Sequence, residues 1–331
     1  MPRTRDILAL CLLMGLLGAA VVWRLMIGGG GDTPEMTSLM LEVRQWRVVS
    51  GLVVGAALGV SGVLLQSLLR NPLASPDLLG LASGAGLGVM AIVYIGYLAG
   101  LGIAATDLGG SGVGWTTTSA AVLGALGALA LVYVLSQRRG LLDPITLVLV
   151  GVVVAIMCGA GTQLLKSLMP DQGVAASRLL RGMLSDDVPR GQLALVGGLT
   201  LASIVAGAWA GPAMDAAALG DDEARSVGVG LGRLRTLLFV LSGVLAASSV
   251  VIAGPVGFVG LICPHAARLL LGPSHRVLVV GAAVSGATLV IGADAATRLI
   301  DFGSGHPPIS ILTSLLGGPV LVLLLRRRPA Q

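Results

Sequence analysis

Charge is scarce in this chain: only 11% of its 331 residues are Asp, Glu, Lys or Arg, where a soluble domain carries roughly a quarter. That shortage excludes an ordinary water-soluble globule. Aromatic residues make up 3%, so the formal charge of +5 lacks the interleaved stacking side chains of a nucleic-acid surface. No nucleic-acid partner is expected. The three cysteines, Cys11, Cys158 and Cys263, stand far apart in apolar surroundings, forming neither a disulfide framework nor a metal-ligand spacing. No metal or other cofactor is expected. The chain also lacks Gly-x-x-x-x-Gly-Lys-Ser/Thr, Gly-x-Ser-x-Gly and His-Glu-x-x-His, the patterns of a phosphate-binding loop and of two hydrolase classes.

What is present is apolar: 55% hydrophobic residues with fifty glycines, at a mean hydropathy of +0.94. A membrane span takes about 20 apolar residues, and hydropathy places ten, near residues 7–27, 47–67, 80–102, 116–136, 144–166, 193–211, 234–253, 256–271, 275–297 and 308–325. The expected fold is all-α, one polytopic transmembrane domain over 1–331. The first run follows Arg3 and Arg5, exceeds a secretory core in length and has no small-residue cleavage site, so it reads as a retained span. Ten spans put both termini on one side. With that side cytoplasmic, thirteen of the 21 basic residues fall inside and the other eight outside, which fits the excess of Lys and Arg in cytoplasmic loops.

Gly51, Gly55 and Gly59 recur every fourth residue, as do Gly80, Gly84 and Gly88, and each set reads as a helix face for close packing. Gly28 to Gly31 read as a flexible outer linker. The eighth span is short and rich in glycine, so a broken helix is expected there, of the kind membranes tolerate when protein buries it. It closes on Pro264, His265 and Arg268, expected at its cytoplasmic end, with His265 as a helix-end hydrogen-bond donor. The longest polar segment, about 212–233, reads as two short helices: one stopped by Gly220, the other opened by Asp221, Asp222 and Glu223 and stopped by Gly228. Asp294 and Arg298 lie four apart in the ninth span, where ionisable residues are costly; a salt bridge and a functional role are both open.

Two stretches carry a family resemblance: Gly62-Val63-Leu64-Leu65-Gln66 followed by Arg70-Asn71-Pro72-Leu73-Ala74-Ser75-Pro76-Asp77, and Gly257-Phe258-Val259-Gly260-Leu261-Ile262-Cys263-Pro264-His265 with Arg268. The chain resembles the FecCD-type permease subunits of ABC importers for iron-siderophores, haem and cobalamin, from about Arg44 to Leu325. The resemblance implies the type II importer permease fold, in the cytoplasmic (inner) membrane. It implies a permease that is not itself an enzyme. A second permease subunit, identical or different, two ATP-binding subunits, an extracytoplasmic solute-binding protein and a metal-chelate cargo would complete the transporter. Leu219, Gly220, Asp221, Asp222, Glu223, Ala224, Arg225, Val227 and Gly228 match the coupling region that docks into the ATPase, with Val227 in place of the usual Leu. Arg44, Arg47 and Arg298 match outer arginines that receive acidic side chains of the binding protein, and Asp294 belongs to the same Asp-x-x-x-Arg motif. An ion-coupled secondary transporter using Asp294 as proton relay and an intramembrane hydrolase are the competing classes.

Overall fold

In a computed structural model, the described residues are 4–27, 34–100, 115–138, 141–169, 182–184, 188–300 and 306–326. Gly28 to Gly31 and the cations Arg3, Arg139, Arg178, Arg181, Arg327 and Arg328 lie outside them. Eleven helices follow in order among the described residues: α1 Thr4–Met26, α2 Pro34–Leu69, α3 Leu81–Leu98, α4 Trp115–Leu135, α5 Pro144–Ser167, α6 Arg190–Leu219, α7 Asp221–Ser226, α8 Leu231–Ala253, α9 Val259–Leu271, α10 His275–Thr297 and α11 Ile309–Arg326. A short 3₁₀ turn, Pro76–Leu79, precedes α3, and a two-residue ladder pairs Gln137 and Arg138 with Leu142 and Leu141. Each of the ten expected spans coincides with a helix. Eight are long and apolar enough to cross a membrane, while Val259–Leu271 and an apolar stretch Ile309–Val320 are shorter.

Local chemistry explains several boundaries. Asp143 caps α5, its carboxylate accepting the Thr146 backbone N–H at 2.8 Å, and Pro144 fills the first turn, where its missing N–H costs nothing. At the end of α2, Arg70 takes a left-handed φ of 48°. The Asn71 side chain then accepts the Leu73 N–H at 3.0 Å, a local turn that stops the helix. Phe258, also left-handed with φ 67°, opens α9, its carbonyl accepting the Ile262 N–H at 2.9 Å.

Two expectations are corrected. The polar segment does not begin with its own short helix, because α6 runs unbroken through Pro212 to Leu219; Pro212 removes one helical hydrogen bond, and the Ala216-Ala217-Ala218 run that follows favours helix strongly. Pro264, His265 and Arg268 do not terminate α9 either. The helix continues to Leu271 with Pro264 inside it, in its second turn, where the proline removes only the one hydrogen bond to the Gly260 carbonyl.

The centre of the fold is α2 packed along α10. Both are mostly buried, and the predicted glycine face is the reason: a Cβ on Gly55 would lie 2.6 Å from the Ala287 Cα, and one on Gly51 3.0 Å from an Ile291 side-chain carbon. Gly84 meets Ala128 of α4 at 2.6 Å in the same sense, so the second set also packs helices. Around this seam Leu64, Leu65, Leu238, Phe239, Leu245, Leu278 and Val279 form the main core. Ser61 and Ser242 bind each other's carbonyls at 2.7 and 3.0 Å between α2 and α8, satisfying hydroxyls that lipid could not. The end of the bundle carrying 212–233 is termed the lower end, its opposite the upper end.

Candidate functional site

At the lower end, α6, α7 and α8 meet the terminus of α2. Asp221, first residue of α7, pairs with Arg70 and with Arg235, the latter at 2.9 Å. Arg235 also donates to the Leu142 carbonyl at 3.3 Å. Burial resists ionisation of Asp221, but the Arg70 hydrogen bond and the two guanidinium charges outweigh it and hold its carboxyl below the usual range. One turn earlier in α6 than Leu219, Asp215 accepts the backbone N–H of His275 at 3.0 Å and contacts its Nδ1 at 2.6 Å. The first N–H of α10 is thereby capped by a side chain from another helix.

These anchors fix what α7 and the residues on either side of it present. Ala224 is buried, while Leu219 at 78% and Val227 at 69% are among the most exposed large hydrophobics of the chain. Asp222 and Arg225 lie on the surface between them, paired at 3.1 Å. Gly228 adopts the left-handed φ of 82° expected at a helix end. Gly220 does not: its φ of 160° is extended backbone, and the space for a side chain is taken by the Glu223 carboxylate.

At the upper end, Arg24 of α1 and Arg47 of α2 converge on Asp294 of α10. Arg24 Nε donates to Asp294 Oδ2 at 2.5 Å, and Arg47 reaches both carboxylate oxygens from Nε at 3.0 Å. All three side chains are buried, with exposures of 4%, 5% and 1%. Arg44 donates to the Leu25 carbonyl at 3.3 Å, closing the end of α1. Arg24, Arg44, Arg298 and His306 line a cavity of about 810 Å³ with Met36, Leu39 and Met40. Of the three expected docking arginines, Arg44 and Arg298 therefore reach this cavity, whereas Arg47 is occupied by Asp294. Arg24 was missed by sequence reasoning; its signal was a cation in the last turn of one span facing an acid in the last turns of another. Arg190, another upper-end cation, pairs with Glu42 at 2.5 Å and lies over the Trp46 ring at 4.7 Å.

Between the ends, the two motif stretches meet. The buried Gln66 amide donates to the Ala74 carbonyl at 3.4 Å and to Leu261 of α9 at 3.5 Å, tying the turn at Asn71 and Pro72 to α9. Pro76 packs on Gly260, where a Cβ would lie 2.6 Å from the proline ring. Asp77 accepts the Ser75 hydroxyl at 3.0 Å and the backbone N–H of Phe258, so Gly257 stands beside its carboxylate. Cys263 gives its carbonyl to the Ser285 hydroxyl at 3.2 Å, and no cluster of three metal-ligating side chains occurs among the described residues.

The model of the FecCD transport family matches residues 7–327. The chain belongs to that family. It is 34% identical over 299 residues to the cobalamin import system permease BtuC of Halobacterium salinarum, covering 90% of this chain and 76% of that one. It is 33% identical to the hemin transport system permease HmuU of Yersinia pestis, over 89% and 85% of the two chains. A solved structure described as an inward-facing conformation of a metal-chelate type ABC transporter superposes with a TM-score of 0.81 at 28% identity, covering 98% of this chain and all of that one. This FecCD-family chain is thus a multi-pass permease subunit of an ABC importer, with the type II importer fold, and is not itself an enzyme.

Proposed function

We propose that this permease carries a metal-chelate cargo, an iron-siderophore, haem or cobalamin-like compound, across the cytoplasmic (inner) membrane. The lower end and both termini face the cytoplasm. Two permease subunits, identical or different, enclose the path, two ATP-binding subunits bind beneath, and a solute-binding protein delivers cargo at the upper end, where Arg44 and Arg298 steer its acidic side chains. The relatives' substrates support the cargo class.

The observation that carries this reading is the presentation of α7. A short helix flanked by two exposed apolar residues, Leu219 at the end of α6 and Val227 just after α7, is fastened by Asp221 to α2 and α8, and Asp215 of the adjoining α6 ties it to α10. Apolar side chains held clear of both core and lipid fit a protein partner, and the ion pairs convey a push on α7 to the helices that bound the path. Asp294, held by two arginines, is spent as a structural anion, which gives the proton-relay reading no support. Changing Leu219 and Val227 to Asp is expected to abolish co-purification of the ATPase while the permease still inserts. Retained, wild-type coupled hydrolysis in that double variant would refute the assignment of α7.

A further inference from the structure

Asp77 is a carboxylate in an unusual place. The 3₁₀ turn that carries it packs through Pro76 on Gly260, which itself lies 3.1 Å from the Leu58 carbonyl when given a Cβ. Leu58 is eleven residues above the end of α2 at Leu69, about 16 Å at 1.5 Å per residue. Gly80, just after the turn, likewise sits against Gly151 and Ala155, two to three turns into α5. The chain therefore climbs back from the lower end to about mid-bilayer before α3 begins. There Asp77 is surrounded by many protein atoms, yet its side chain remains exposed. Its neighbours are the Phe258 N–H, the Ser75 hydroxyl and, across Gly257, the exposed Ser314 of α11. A Cβ at Gly257 would lie 3.7 Å from Asp77 Oδ2 and 3.8 Å from Ser314 Oγ, so two breaks in the helical pattern and one face of α11 bring an acid, a bare backbone and a hydroxyl to one spot.

An open carboxyl group at this depth cannot face hydrocarbon cheaply, and irregular backbone is tolerated there only against protein or a water-filled cavity. We infer that Asp77, with Ser314, lines the aqueous translocation path and gives it a negative, hydrogen-bond-accepting contact at mid-membrane. Such a wall suits cargo whose periphery donates hydrogen bonds or carries positive charge, such as amide, hydroxyl or ammonium groups, and disfavours polyanionic chelates. This rests on the permease reading and adds to it the place where the path is polar.

The test uses the assembled transporter, with its ATPase, in a background whose three native cysteines are replaced by Ala. Ser314→Cys should react with charged, water-soluble methanethiosulfonates much faster than Leu12→Cys, an exposed apolar position on the peripheral α1. The cationic reagent should outpace the anionic one at Ser314→Cys, and adding Asp77→Asn should lower that ratio several-fold. Asp77→Cys offers a second readout of the same surface. Slow labelling at both positions in every nucleotide state, or a ratio unmoved by Asp77→Asn, overturns the inference, as does spontaneous cross-linking of Asp77→Cys between two permease subunits, which would make the site a dry interface. Because every variant keeps Leu219 and Val227, ATPase co-purification reports separately on whether the permease reading stands.

Discussion

Replacing Asp294 with Asn should be the most damaging single change at the upper end, and the structure says why. Asp294 answers two buried guanidinium groups at once, with contacts of 2.5 Å to Arg24 and 2.9 Å to Arg47. Asn would leave two cations nearly out of water without the anion they share. Removing one partner of a buried pair costs about 3 to 5 kcal/mol, and here two pairs lose the shared anion together. Arg24→Met, by contrast, leaves a one-to-one pair of Arg47 with Asp294 and deletes a charge that is in excess, so its cost should be the smaller. In thermal unfolding of the detergent-purified permease, Asp294→Asn is expected to lower the midpoint by on the order of 5 to 10 °C, and Arg24→Met by clearly less. Adding Arg24→Met to Asp294→Asn should recover part of the loss, since it removes one orphaned cation. A double variant no more stable than Asp294→Asn alone, or an Arg24→Met as damaging as Asp294→Asn, would refute the view that the cluster is a charge-compensation device.

The remaining predictions concern the seam, the lower end and docking. Gly286→Val should force α10 away from α2, because its added Cβ would fall 2.9 Å from the Gly55 carbonyl carbon; overpacking of this kind costs about 1 to 3 kcal/mol, readable as a lower melting midpoint, whereas Gly18→Val on α1 has open space and should be neutral. The Asp221 pairs should be insensitive to pH from 8 to 5: a carboxyl held below its ordinary value contributes stability above that value and loses it only as pH falls through the lowered one. Hydrogen-exchange protection across 219–228, taken relative to the intrinsic rate at each pH, should therefore fall only under stronger acid, and a loss setting in near neutrality would count against the Arg70 and Arg235 contacts. Reversing Arg44 and Arg298 to Glu should slow association of the binding protein and flatten its salt dependence, while basal ATPase activity persists; an unchanged rate and salt slope would remove docking from their role.

The sequence by itself determined the class of molecule, the ten apolar segments and the family. These depend on composition and on runs of about 20 residues, quantities that any fold of this chain in lipid must respect. It also marked the glycine faces of α2 and α3, since spacing by four fixes a helix face without reference to a partner. Only the tertiary structure decided where charges go. Asp294 and Arg298 are neighbours in sequence, yet Asp294 is claimed by Arg24 and Arg47, 270 and 247 residues away; pairing across that distance depends on which helices adjoin, and residue types do not encode it. In the same way Gly220 resembled a left-handed cap and proved extended, because the Glu223 carboxylate and the anchored Asp221 set its geometry. Asp77 shows the limit most plainly: in the sequence it is one polar residue in a turn between spans, and its place beside the middle of α2 rather than at its end follows from Pro76 packing on Gly260, a contact more than 180 residues apart in sequence that local propensity cannot foresee.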